Sequence, residues 1–137
     1  MKDHRQLSDD DFAHQFETAV LDPALFNHEA HLRVAWLHLA KHGAEKAVVT
    51  VNEQLIGYVA CLGARDKYNR TLTTAAIKTV HHFMQRAQGA SFLELIDAFP
   101  QLTQNFRGLL ASHYSVDIFG LDLAKATYLE PDLLPFD

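Results

Sequence analysis

A chain of 137 residues with 48% hydrophobic and 21% charged residues has the composition of one folded domain, long enough to bury roughly two thirds of its unfolded surface. Its formal charge of −5, with only 12 Lys and Arg spread along the sequence, argues against a nucleic-acid partner, because neutralising phosphates needs a basic face. The single cysteine excludes an internal disulfide and points to a reducing, cytoplasmic setting.

The polar start Met1-Lys2-Asp3-His4-Arg5 lacks the pattern of a signal peptide, and no apolar run reaches the length of a bilayer span, so no membrane partner is expected. Ser8 and the acids Asp9, Asp10 and Asp11 suit the start of a helix over 9–21, with Phe12, Phe16 and Val20 at four-residue spacing. Asp22-Pro23 breaks the chain. Asn27 is a good N-cap for a second helix over 28–42, ended by Gly43. A third helix is expected over 44–62, with Val48, Val51, Leu55, Val59 and Leu62 as its apolar stripe and Cys61 as a small core residue.

Gly63 stops that helix, and a polar loop leads through Tyr68-Asn69-Arg70-Thr71 into a fourth helix reaching about residue 88, with Leu72, Ala76, Phe83 and Ala87 on its buried face. Ser91 and Glu94 form a capping box for a short fifth helix, and Pro100 suits the first turn of a sixth. Ser115 is expected to cap a last helical segment, interrupted near Gly120, before an extended tail from Glu130-Pro131-Asp132. The alternation of β-strands is absent from this pattern. The expected fold is all-α, an irregular up-and-down bundle of about six helices in a single domain over 1–137.

The chemistry concentrates on the second helix. At about 100° per residue His31, His38 and His42 fall within about 40° of one another, and His28 within about 80° of the farthest. Leu32, Ala35 and Leu39 share that side, so His28 and His31 are expected to face inward, with His38 and His42 nearer the edge. Two imidazoles at i and i+3 can converge on one metal, and the helix N-terminus favours the neutral ring that a ligand or base requires. Three readings of His28 and His31 stand open: hydrogen-bonded structural histidines, metal ligands, or metal-free acid/base or ligand contacts. His38 and His42 have the i, i+4 spacing of zinc helices but lack the glutamate of H-E-x-x-H, and read as a solvated helix edge.

The run Phe26-x-His28-x-x-His31-Leu32 followed by Ala35-Trp36, the run Lys67-Tyr68-Asn69-x-Thr71-Leu72-Thr73, and His113-Tyr114-Ser115 with Glu130-Pro131-Asp132-Leu133 together resemble an uncharacterised family of small bacterial all-helical proteins. The resemblance spans residues 26 to 135 and is silent about activity. That family places a histidine where this chain has Asn69, whose carbonyl can orient a ligand or bind a hard cation but is a poor zinc ligand.

Alternating helix directions put the N-termini of the second and fourth helices at one end, so His28, His31, Tyr68, Asn69 and Thr71 are expected to cluster there and favour a small anionic ligand. Tyr68 as a packed aromatic and Thr71 as a cap are the structural alternatives. If Pro100 separates two antiparallel helices, Glu130 returns to the His28 end as third ligand or proton acceptor; if it only kinks one helix, His113 arrives instead; the first route is favoured, because proline disfavours a helical Phe99 and suits the first turn of a new helix. The sequence therefore suggests a small cytoplasmic enzyme or small-molecule binder with a His-lined pocket at one bundle end, using a divalent metal (Zn, Fe or Mn) for hydrolysis or lyase chemistry. The competing expectation is a non-catalytic helical interaction module with structural histidines, and a homodimer is the default assembly.

Overall fold

The computed structural model describes residues 3–136. The protein is all-α, 67% helical with eight helices, five of them of seven or more residues, and no strand among the described residues. The chain divides into two compact units, Met1–Tyr68 and Asn69–Asp137.

The first unit holds α1 (Asp9–Glu17), α2 (His28–His42) and α3 (Ala44–Cys61), with 3-10 turns at His4–Gln6, Pro23–Leu25 and Arg65–Lys67. The expected caps form: the Ser8 hydroxyl accepts from the Asp11 N–H, and the Asn27 side chain from that of Ala30. Gly43 closes α2 and opens α3 at φ 84°, a left-handed conformation natural to glycine, and the two helices pack along each other. Phe12, Phe16, Leu32, Ala35, Leu39, Val51, Leu55 and Tyr58 are buried.

The end of the first helix and the placing of Cys61 depart from expectation in this unit. The first helix stops at Glu17, not 21: the Thr18 hydroxyl donates back to the His14 carbonyl, Ala19 turns left-handed at φ 61°, and Val20 is 67% exposed. Local capping there overrides the four-residue repeat. Cys61 is exposed at the end of α3, with Leu62 beside it also exposed; the apolar stripe outlasts the packing that would bury it.

The second unit holds α4 (Arg70–Arg86), α5 (Phe92–Ala98), α6 (Gln101–Gln104), α7 (Phe106–Ala111) and α8 (Asp122–Ala126). The Ser91–Glu94 capping box forms at α5, and Pro100 caps α6. The sixth helix is broken in two at Asn105, whose side chain folds over Gly108 so closely that a Cβ there would lie 2.5 Å from it. Ser115 caps no helix: its N–H and hydroxyl both bond the Asp132 carboxylate, and α8 begins only after Gly120. The buried face of α4 runs through Thr71, Thr74, Ala75, Ile77, Thr79, Val80 and Phe83 rather than Leu72 and Ala76. Threonine suits it because the Thr79 hydroxyl returns its hydrogen to the Ala75 carbonyl.

Candidate functional site

His28 is the first residue of α2 and His31 lies one turn on. Phe26, just before the cap, stacks on the His31 ring with centroids 3.9 Å apart and planes 27° from parallel. Phe26 is itself held by Phe16 at 5.1 Å and Tyr58 at 5.0 Å, and the Tyr58 hydroxyl donates to the Leu21 carbonyl at 2.8 Å. The imidazole thus rests on a fixed aromatic platform.

Both histidines are exposed, which corrects the inward orientation expected from the helical wheel. His31 is nevertheless desolvated by the atoms around it, and that, reinforced by the neighbouring charge of His28, pushes its pKa down to about 4. At neutral pH His31 is an uncharged imidazole that a solute can reach.

The other expected site residues have partners of their own. The Tyr68 hydroxyl donates to Asn52 Oδ1 at 2.5 Å. Asn69 Oδ1 accepts from the Leu72 N–H, capping α4, and its Nδ2 donates to the Ile118 carbonyl at 2.7 Å. Thr71 is fully buried, donates to the Thr127 carbonyl at 2.7 Å and accepts from the Leu129 N–H at 3.0 Å. Asn69 and Thr71 therefore fasten the C-terminal segment to α4. Glu130 is exposed; burial mainly, with the Glu130 charge adding, raises the phenol pKa values of Tyr114 and Tyr128. His113 bonds the Leu134 carbonyl through Nδ1 at 2.6 Å and stacks on Phe136 at 4.2 Å.

The sequence reading missed a polar cluster at the start of the chain. His4 is 1% exposed, and its Nε2 lies 2.6 Å from Glu29 Oε2. Arg5 grips both oxygens of Glu29, at 2.8 and 2.6 Å. Buried Arg33 donates to the carbonyls of His4 and Leu7 and to Asp9, with its guanidinium 4.5 Å over the Phe12 ring. It also faces His4 Nδ1 at 3.3 Å; because arginine only donates, Nδ1 accepts and Nε2 carries the hydrogen toward Glu29. The Arg5 bond lowers the Glu29 pKa, burial opposes that, and the His4 bond adds to the lowering. Local spacing gave no signal for this cluster, because Arg33 pairs with Asp9, far along the chain, and Glu29 with Arg5 rather than with its i, i+4 neighbour.

Among the described residues, the group of three His, Cys, Asp or Glu ligands close enough to hold a metal is Asp3, His4 and Glu29, with ligand atoms within 4.8 Å of one another. Arg5 and Arg33 oppose a cation there and already occupy the carboxylate and the imidazole, so the cluster acts as a fastening for the N-terminal segment. His28 and His31 lie outside that group.

The second unit contains a groove of about 320 Å³ lined by Leu110, Tyr114, Val116, Ile118 and Phe119, with the Arg107 guanidinium 3.9 Å over the Phe119 ring. Among the described residues no helix is long and apolar enough to cross a membrane. No family model, curated protein or solved structure matches the chain, so its chemistry is read from these residues alone.

Proposed function

We propose that the protein is a small-molecule binder or small enzyme whose ligand is engaged by His28 and His31. The observation that carries this reading is the His31 imidazole, stacked on Phe26, accessible, and uncharged at neutral pH. Acid/base catalysis works best with a pKa near the working pH, and a ring that loses its proton near 4 is a weak base. The same ring is well suited to donate or accept a hydrogen bond as a neutral group, or to ligate a metal, since neither role requires it to take up a proton. A divalent Zn, Fe or Mn ion at the pair, with its remaining ligands from solvent or substrate, supports hydrolysis or lyase chemistry and is the finer form of the proposal.

The test is a screen of small carboxylates and phosphates by amide chemical shifts, with total-metal analysis of untagged protein. Shifts confined to residues 26–32 and lost in His31→Gln support the proposal; a folded protein that responds to no member of the panel and carries no metal at these residues overturns it. A metal that disappears in the double variant His28→Ala, His31→Ala supports the metal-assisted form. The competing reading, a non-catalytic interaction module, draws on the groove in the second unit and on the exposed Val116, Leu121 and Leu123, 46%, 39% and 58% accessible. It is preferred if His31→Gln changes stability and nothing else.

A further inference from the structure

Farther along α2 lies a second histidine pair whose surroundings go beyond a solvated helix edge. His38 and His42 sit one turn apart with ring centroids 6.0 Å apart and planes 33° from parallel. Two imidazoles sharing a tetrahedral zinc have centroids roughly 5 Å apart, given Zn–N bonds of about 2.0–2.1 Å, so a small side-chain rotation brings both rings onto one ion. His42 is exposed and His38 half-buried.

The buried side of His38 supplies the second observation. Its Nδ1 and the Oε1 of Gln54, on α3, are both buried and neither has a partner at bonding distance. The Gln54 side chain is nevertheless among the groups near enough to act on the His38 ring. A ring N–H and an amide oxygen are complementary, and pairing them fixes the Nδ1–H tautomer and leaves Nε2 with its lone pair. Metal-binding histidines are held in this way, donating the second ring N–H to an oxygen. Burial, the largest influence on this ring, holds the His38 pKa below its ordinary value, with His42 and Lys41 adding to the lowering and Gln54 and the Glu17 charge opposing it.

We propose that His38 and His42 form a binding site for a transition-metal ion of the zinc class, with Gln54 as the positioning residue that holds the His38 tautomer. The site is separate from the ligand contact at His28 and His31 and does not depend on it. Two neutral rings leave the remaining positions of a divalent ion to solvent.

Untagged full-length protein titrated calorimetrically with Zn²⁺ at pH 7.5 should bind one ion at this site, with affinity falling sharply at pH 5.5 as protons compete for the rings. His42→Ala, at an exposed position, should weaken binding at least tenfold. Gln54→Leu should cost about 10–100-fold, a loss that a bare pair of surface histidines would not show. The double variant His28→Ala, His31→Ala should leave this binding intact, which separates the two proposals. If Gln54→Leu does not fold, ¹⁵N shifts of the wild-type imidazoles give the same answer: zinc on His38 Nε2 with Nδ1 protonated supports the site. Absence of zinc binding, binding that survives His42→Ala, binding indifferent to a folded Gln54→Leu, or zinc on His38 Nδ1 overturns it.

Discussion

His31 couples the candidate site to pH through a single ring. Its ordinary pKa of 6.5 falls to about 4 in the folded protein, so between those values the unfolded chain takes up a proton that the folded one refuses. Stability from this group is complete above pH 6.5 and is lost as pH falls toward 4. Because the residue is exposed, solvent screening keeps the slope well below the roughly 1.4 kcal/mol per pH unit of a full proton. Urea denaturation at pH 7 and pH 4.5 should show that slope in the wild type and a flatter one in His31→Gln; identical slopes would remove the claim of a desolvated ring. Glu29 behaves with the same sign at lower pH. Its lowered pKa means that its contribution is full above the ordinary 4.5 and is lost on acidification. Glu29→Gln leaves Arg5 without its anion and the buried His4 with a weaker acceptor, and should cost about 1–3 kcal/mol at pH 7, measured by denaturant midpoint.

Among the elements, the sequence was most legible where capping chemistry and periodicity agreed. Asn27 and Gly43 bound α2 at the expected residues, and Ser91 with Glu94 opens α5. It was least legible where a side chain's partner lies far along the chain. Ser115 has the form of a cap, but Asp132, 17 residues on, claims both its donors; Thr71 has the form of a first-turn residue, but Thr127 and Leu129 hold it. The end of α1 makes a direct test of local control. Ala19 carries a positive φ of 61°, which costs an L-residue with a Cβ about 1 kcal/mol relative to glycine. The extra freedom of the unfolded chain with glycine offsets about 0.4–1 kcal/mol of that, so Ala19→Gly should stabilise the protein by up to about 0.5 kcal/mol. A lower melting temperature in the variant would mean that the methyl group packs for more than the backbone loses.

At the scale of the whole molecule, composition and pattern were enough for the all-α class, whereas the site was legible only as a pair of histidines. Wheel geometry located His28 and His31 on one helix but misjudged their exposure, because burial depends on what packs over the first turn rather than on angle alone. The roles of Asn69, Thr71 and His113 emerge only from the C-terminal segment they hold. That segment is fastened at successive points: Thr71 to Thr127 and Leu129, the Tyr114 hydroxyl to the Leu129 carbonyl at 2.8 Å, Ser115 to Asp132, and His113 to Leu133, Leu134 and Phe136. Thr71 and Tyr114 are 0% and 4% exposed, so their hydroxyls depend on this segment for satisfaction, and each unsatisfied buried group costs about 1–3 kcal/mol. Truncation after Ala126 should consequently lower stability by several kcal/mol and speed amide exchange in the first turns of α4. Asp132→Asn, which alters only an exposed contact, should have a much smaller effect. A truncated chain that melts with the wild type would show that solvent replaces those partners and that the C-terminal segment is an appendage rather than part of the second unit's core.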